Sequence, residues 1–352
     1  MNKQALLFFG YDNMYKHKRG VENVIDFQSI ASPFYVHYYV HWDNKTTISK
    51  YNNLICVGIK KNHFWWITLN VVLLKIRKKK RSIFIHSHNP LMSLISIYRS
   101  NLFTVHDALF YNAKVKRHKI KYIFFPLEIF LYLRCDYLHF ISDFAKRMSL
   151  YFYNKNFCII ANTSHYESRR SLNVDGVKTN FNNGNFKVLS VRSIEERALI
   201  NLIIDVAYNL KFENIQFLIV GKGPLLDFYR NKIVQIGLTN IKLLGYLSDQ
   251  DLLQHYEDCD LVLSPASYGE GFGLPIIEGY LFNKPVIASN ICAIPEVIYS
   301  PNYLFENNVE SIISKLNFAK EQKNISFVNY YNSRFSNDLI ITQFKELYFK
   351  LN

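Results

Sequence analysis

Two doubly wound α/β domains are predicted by three observations. At 352 residues the chain is longer than one core usually fills. Apolar runs of strand length alternate with helical patterns in both halves. A polar stretch from Asn173 to Asn185, containing Asp175-Gly176 and Asn182-Asn183-Gly184, reads as a linker between two such sheets. The expected organisation is an N-terminal domain over 1–178, a C-terminal domain over 179–336, and a last segment over 337–352. In open parallel sheets ligands sit beyond the carboxyl ends of the strands, so a cleft is expected where the two sheets face each other.

In the N-terminal half, Leu6 to Phe9, Leu54 to Val57, Ser82 to Ile85, Leu102 to Val105, Tyr137 to Ile141 and Phe157 to Ile160 read as short apolar strands. Phe64 to Leu74 reads as an aromatic and aliphatic helix, followed by Lys75, Arg77, Lys78, Lys79, Lys80 and Arg81. In the C-terminal half, Leu261-Val262-Leu263 reads as a buried strand ending at Ser264, and Leu274 to Phe282 as a helix. Glu270-Gly271-Phe272-Gly273 is then the turn between them. Asn337 to Leu351 has apolar residues at helical spacing.

Charge is unevenly divided. Residues 1–178 carry 27 Lys and Arg against 10 Asp and Glu, leaving 15 against 18 for residues 179–352 and +14 for the chain. The N-terminal domain therefore holds all the excess. A helix such as 64–74 ending in a basic cluster suits the interface of an anionic leaflet. The competing reading is a helix of the N-terminal sheet whose basic end complements its dipole. Asn70 and the short run exclude a membrane span. Nucleic acid is not expected, because no zinc spacing, glycine-aromatic signature or recognition-helix pattern accompanies the charge. Met1 to Phe9 is too short for an export signal, and five scattered cysteines without Cys-x-x-Cys pairing fit reduced thiols, so the expected location is cytoplasmic.

The turn at 270–273 carries the chemistry. A strand-to-helix turn places backbone N–H groups at a helix N-terminus, where they and the dipole favour an anion. Gly271 and Gly273 remove the Cβ atoms that would hold a phosphate or sugar away. Glu270 and Glu278 can both accept hydrogen bonds from the hydroxyls of one elongated ligand. Arg192 and Arg197 supply fixed cations for a departing diphosphate, whose charge grows in the transition state.

With its flanking segments this turn resembles the family 4 retaining glycosyltransferases of the GT-B fold. Phe186 to Ile204 is similar to that family's strand, basic loop and helix, Gln216 to Pro224 with Gly221 and Gly223 to its next strand and glycine turn. Asn240 to Leu247 with Gly245, and Pro285 to Val297, continue the pattern. In the N-terminal half, Lys18-Arg19-Gly20-Val21-Glu22 resembles the glycine loop that approaches the donor diphosphate, with Arg19 in place of one of two glycines. Leu102 to Asp107 resembles the strand ending in a histidine, His106, that faces the transferred sugar. Val191, Ala198, Asn283 and Ala293-Ile294 stand where glycines are usual.

The resemblance implies two Rossmann-like domains with the last helix crossing back to the N-terminal one. It also implies a metal-independent hexosyltransferase with no cofactor beyond a nucleotide-diphosphate sugar as co-substrate. The catalytic set is Glu270, His106, Arg192 and Arg197. The donor set is Gly20, Arg192, Arg197, Gly221, Gly245, Gly271, Phe272, Gly273, Leu274 and Glu278, with Glu278 on the ribose. The expected acceptor is a glycan or a polyprenyl-linked oligosaccharide at the inner face of the cytoplasmic membrane, in O-antigen, lipopolysaccharide or capsule assembly. A nucleotide-sugar 2-epimerase of the same fold and a catalytically silent docking subunit are the alternatives. A nicotinamide oxidoreductase is disfavoured, because neither half shows the full Gly-x-Gly-x-x-Gly opening with an acidic ribose ligand.

Two further patterns bear on metals. Asp258-Cys259-Asp260 fits Asp-x-Asp but precedes a strand, at the amino end of the sheet, and reads as a helix-to-strand turn. His86-Ser87-His88 sits at a strand end where acceptor contacts are expected, and its two histidines are expected on opposite faces, hence not as partners for one metal.

Overall fold

The computed structural model describes residues 4–14, 20–80, 82–106, 108–115, 121–150, 155–170 and 184–352. They form two units, residues 1–165 with 337–352, and residues 166–336. The division falls at 165/166 rather than 178/179 because Tyr166 and Glu167 are tied to the second unit. Tyr166 donates to Asp249 Oδ1 at 3.3 Å, and Glu167 Oε2 accepts from Tyr331 at 2.8 Å. Up to residue 183 the predicted linker lies outside the described residues, as do Lys18, Arg19, Arg81 and Asp107.

The first unit is built on strands β1 (Gln4–Phe9), β2 (Val36–Asp43), β3 (Thr47–Tyr51), β4 (Leu54–Lys60), β5 (Ser82–Ser87), β6 (Ser100–Val105), β7 (Cys135–Phe140) and β8 (Asn156–Ile159). Among the described residues their order is β3-β4-β2-β1-β5-β6-β7-β8, parallel except for the β3–β4 pair. Helices α1 (Gly20–Ala31), α2 (Trp65–Lys79), α3 (Pro90–Ile95), α4 (Leu109–Val115), α5 (Phe124–Leu133) and α6 (Asp143–Met148) connect them. Alternation along β1 splits the core in two. Leu6 and Phe8 pack with Ile25, Phe344 and Tyr348, while Ala5, Leu7 and Phe9 pack with Leu69, Leu73 and Ile76 of α2.

β2 and β3 are absent from the strands read in the sequence. β2 is rich in tyrosine and histidine, which score low as apolar residues yet fit a pleated surface. Its Tyr39, Val40 and His41 are fully buried.

The second unit has strands β9 (Phe186–Val191), β10 (Ile215–Val220), β11 (Ile241–Gly245), β12 (Leu261–Ser264), β13 (Val286–Ser289) and β14 (Leu304–Phe305). All are parallel, in the order β11-β10-β9-β12-β13-β14. Around them lie α7 (Glu167–Arg170), α8 (Ile200–Asn209), α9 (Leu226–Gln235), α10 (Asp249–Asp258), α11 (Leu274–Leu281), α12 (Ile294–Val297), α13 (Val309–Glu321) and α14 (Phe327–Arg334). The winding reverses between β9 and β12, and a doubly wound sheet binds its ligand beyond the carboxyl ends at such a reversal.

The last helix, α15 (Asn337–Leu351), belongs to the first unit. Ile340, Phe344, Leu347 and Tyr348 are buried there at helical spacing, and Asn337 Oδ1 accepts from Thr163 at 2.8 Å. Two of the missing glycines leave a mark on the backbone. Asn283 takes a left-handed φ of 57°, which asparagine tolerates, and Leu199, beside Ala198, takes 51°.

Candidate functional site

At the reversal in the second unit, Arg192 follows β9 and the loop 265–273 follows β12. Arg192 Nη1 donates to Glu270 Oε2 at 2.9 Å and to Ser264 Oγ at 3.4 Å. The Arg192 side chain is only 5% exposed, so this charge is held by the fold and not by solvent. Its Nε and Nη2 take no partner among the described residues, which leaves three of the five N–H donors of a guanidinium for a ligand. Arg197 lies on the turn 196–198 between β9 and α8. It donates through Nε to Glu195 at 2.6 Å and through Nη1 to the Gly269 carbonyl at 3.3 Å, and sits 3.8 Å from Glu270. One carboxylate thus lies between two arginines.

Backbone contacts fix this pair. Ser267 N–H donates to the Arg197 carbonyl at 3.0 Å, and Ala293 N–H to the Glu270 carbonyl at 3.2 Å. Behind the loop, Ser289 Oγ accepts from Ala266 N–H, and Asn307 bonds both Ser289 Oγ and the Ala266 carbonyl. Sequence reading did not select Ser289 or Asn307; they are single polar residues whose partners are distant in the chain.

Gly221 serves the site indirectly. With φ at 146°, a Cβ there would lie 1.7 Å from the Arg192 carbonyl oxygen. Glycine is needed so that the loop after β10 can press against the segment bearing Arg192. Gly245 ends β11 and accepts from Gly221 N–H through its carbonyl at 2.8 Å. Gly273 caps α11 with φ at 98° and no side-chain hydrogen bond. The N–H supply at this helix end is narrower than the sequence suggests. Pro275 has none and Ile276 N–H bonds the Gly273 carbonyl, so Leu274 is the open donor of the three. Gly271 is half-buried beside it, and Phe272 is buried against Phe335.

Glu278 sits on α11, 6% exposed, and accepts from the Tyr256 hydroxyl at 2.7 Å. Burial pushes its carboxyl up to about 7 against that stabilising bond. Tyr256 was not selected from the sequence. Asp258 and Asp260 lie at the opposite end of β12: Asp260 accepts from Lys187 N–H and Asp258 from Gln254, as expected of a turn.

The first unit presents a second polar centre. Gly20 begins α1. His106 follows β6 and His88 follows β5, adjacent strands in the sheet. His88 Nδ1 and His106 Nε2 are 2.8 Å apart. Both line a cavity of about 280 Å³ with Tyr11, Thr104 and Tyr132 among its other walls. His86 and His88 do not point to opposite faces. Residues two apart on a strand share a face, and their ring centroids are 4.6 Å apart. His86 belongs instead to a buried chain through Tyr348, Thr104 and His139.

Comparison with known proteins adds a family match and a fold. Residues 175–334, somewhat under half of the chain, match the family described as glycosyl transferases group 1. An uncharacterised glycosyltransferase of Methanocaldococcus jannaschii is 27% identical over 140 residues, 39% of each chain. The O-antigen chain mannosyltransferase B of Escherichia coli is 38% identical over 73 residues, 20% of this chain and 19% of its own. The matched stretch therefore spans well under half the length of these curated relatives. The structure of Anabaena Alr3699/HepE, solved in complex with UDP and glucose, superposes with a TM-score of 0.74 at 15% identity, over 97% of this chain and 98% of that one. The fold is GT-B.

Proposed function

We propose that this chain is a retaining glycosyltransferase that moves a hexose from a nucleotide-diphosphate sugar onto a hydroxyl of a lipid-linked glycan. The observation that carries the reading is the Arg192–Glu270 pair at the winding reversal, inside the stretch that matches the group 1 family. Arg192 and Arg197 hold the diphosphate, and their fixed charge stabilises the leaving group as its negative charge grows. Gly221 and Gly245 support the segment that carries Arg192, and Gly20, at the start of α1, is assigned to the donor diphosphate. Glu270, Gly271, Phe272, Gly273 and Leu274 surround the sugar, with the Leu274 N–H as a donor. Glu278 accepts from the ribose hydroxyls.

In the transfer step the bond from the anomeric carbon to the leaving phosphate oxygen breaks as the acceptor oxygen bonds to the same carbon from the same face. The acceptor proton passes to the leaving phosphate oxygen, so no dedicated protein base is required. Arginine charge takes the place of a divalent metal in this scheme. His106 is assigned to the transferred sugar.

The O-antigen relative supports a role in surface polysaccharide assembly, and the HepE complex supports a nucleotide-sugar donor. Membrane attachment is supported by the outward face of α2. Leu69, Leu73 and Ile76 are buried, while Phe64, Trp66, Ile67, Val71 and Leu74 are exposed above the basic end. No helix among the described residues is long and apolar enough to cross a membrane, so attachment at the inner leaflet would be peripheral.

The test is thermal stabilisation by a panel of nucleotides and nucleotide sugars with EDTA present. Binding to the folded state raises the midpoint with the logarithm of ligand over dissociation constant. A shift with one nucleotide family, lost in Arg192→Ala, is expected; no shift with any of them would favour the docking subunit.

A further inference from the structure

We propose that His88 is a positioning residue for His106, fixing its tautomer so that His106 presents Nδ1–H as a neutral donor; this inference rests on the glycosyltransferase reading above. The argument begins with counting protons. A neutral imidazole carries one N–H, and two ring nitrogens 2.8 Å apart need one hydrogen between them. Either His106 donates from Nε2 or His88 donates from Nδ1.

The surroundings of His88 decide between them. His88 is 1% exposed, with its ring against Phe8 and His86. Its Nε2 is buried and has no hydrogen-bond partner among the described residues. If His106 donated, His88 would carry its proton on this Nε2, leaving an N–H orphaned in the interior. If His88 donates, Nε2 is a bare lone pair, and a buried orphan donor is the rarer and costlier of the two. The His88 Nδ1–H therefore points at His106 Nε2, and the only hydrogen left to a neutral His106 ring is on Nδ1.

His88 is well placed to impose this. Its backbone N–H bonds the Phe9 carbonyl at 2.9 Å, tying the residue to β1 as well as β5. Both rings line the cavity, but His106 is half-buried there whereas His88 is only 1% exposed. Burial, with His139 nearby, holds the His106 ring down at about 3. Among the described residues the titratable groups around His106 are His86, His88 and His139, with Tyr11 and Tyr132 on the cavity wall, and none of these would draw a proton onto it. A neutral N–H donor suits a sugar hydroxyl oxygen and brings no net positive charge with which to attract a phosphate.

The experiment combines ¹⁵N-imidazole NMR with kinetics in wild type, His88→Ala and His88→Asn, with the His106 signals assigned by their loss in His106→Gln. Asparagine keeps a side-chain N–H near the position of the imidazole Nδ1, so it restores the donor. In wild type at pH 7, His106 is expected as the Nδ1–H tautomer. In His88→Ala the signal moves toward a mixture, kcat falls about 100-fold for a misplaced group, and the donor KM stays within about threefold, a change of no more than about 0.65 kcal/mol. His88→Asn recovers the tautomer and most of kcat. The proposal is overturned if wild-type His106 carries its proton on Nε2, or if His88→Ala shifts the tautomer and leaves kcat unchanged. A wild type inactive on every nucleotide sugar would overturn the reaction role, and the NMR tautomer would still decide the pairing itself.

Discussion

Arg192 Nη1 meets Glu270 Oε2 at 2.9 Å across 78 positions of sequence, joining the carboxyl ends of β9 and β12. The pair is 5% and 15% exposed, so removing one member strands the other in a poorly solvated place. Arg192→Ala is expected to cost about 2 kcal/mol of stability by removing the hydrogen-bonded partner of the carboxylate and leaving it only Arg197 at 3.8 Å. It should also abolish the thermal shift given by nucleotide sugars and lower kcat/KM by about 100-fold or more. Arg192→Lys should fail nearly as badly, because an ammonium cannot serve Glu270, Ser264 and a ligand with one planar fork. Denaturant unfolding and initial rates check both; a stable, fully active alanine variant would remove Arg192 from the donor site.

Glu278 carries an opposite pH signature to most carboxylates. Its folded value is raised from 4.5 to about 7 by burial, so the folded protein binds a proton that the unfolded chain has lost. The contribution to stability is present below about pH 4.5 and is lost as pH rises through 7, a difference of about 3 kcal/mol. Glu278→Gln retains the bond from Tyr256 and abolishes the titration. It should therefore be more stable than wild type at pH 8, by a margin that narrows as pH falls toward 6. Donor affinity should fall in the same variant, since an amide offers one acceptor where a carboxylate offers two. Unchanged affinity at pH 8 would separate Glu278 from the ribose.

The buried histidines act in the other direction. His37 and His139 are held down at about 4, His106 at about 3, and His86 and His88 well below the ordinary value, burial being the first cause in each. Their contribution is complete above about 6.5 and is lost as pH falls, at about 1.4 kcal/mol per histidine per pH unit. Five such groups outweigh Glu278, so cooperative unfolding is expected between about pH 6 and 5, well above the range in which carboxylates alone denature a protein. Circular dichroism against pH measures this directly, and retention of the fold at pH 4.5 would contradict it.

Within that cluster one chain has a fixed direction. The Ile160 carbonyl can only accept, so His139 Nε2 donates to it, Thr104 donates to His139 Nδ1, His86 Nε2 donates to Thr104, and Tyr348 donates to His86 Nδ1. Tyr348→Phe removes the terminal donor and leaves a bare buried nitrogen under α15, a cost of about 1–3 kcal/mol. Thr104→Val breaks the chain in the middle, orphans both neighbours and should cost more. Equal stability of the two variants in denaturant would show that the chain is not continuous.

How much of this was legible depends on distance along the chain. The turn 270–273, its strand and its helix follow from local pattern, and β12 and α11 lie within a residue of their predicted bounds. Arg192 and Glu270 were each selected, but their contact was not, because it depends on β9 lying beside β12 with two strands and three helices between them in sequence. Tyr256 under Glu278, and the Ser289–Asn307 clamp, escaped for the same reason: each is an ordinary polar residue until topology supplies its partner. The histidine pair was within reach. The rule that residues two apart share a strand face places His86 and His88 together, and β6 beside β5 then brings His106 to the second of them.

The outward face of α2 separates docking from folding, because its two roles use different residues. Leu69, Leu73 and Ile76 point into the core, whereas Trp66 and Leu74 are 47% and 46% exposed. Next to α2, α3 exposes Leu91 and Ile95, and α5, which α3 touches, exposes Phe130 and Leu133. Lys75, Lys78 and Lys79 at the helix end each offer about 1 kcal/mol toward an anionic leaflet, an attraction that salt screens. Trp66→Ser with Leu74→Ser should leave the unfolding free energy within about 1 kcal/mol of wild type, about 0.5 kcal/mol for each surface change. The same pair should sharply reduce sedimentation with vesicles containing anionic lipid. Replacing the three lysines by glutamine should weaken that binding and flatten its salt dependence. Vesicle binding unaffected by both variants would assign this face to something other than a membrane, whereas loss in the lysine variant alone would make the attachment electrostatic and leave the aromatic face outside the bilayer.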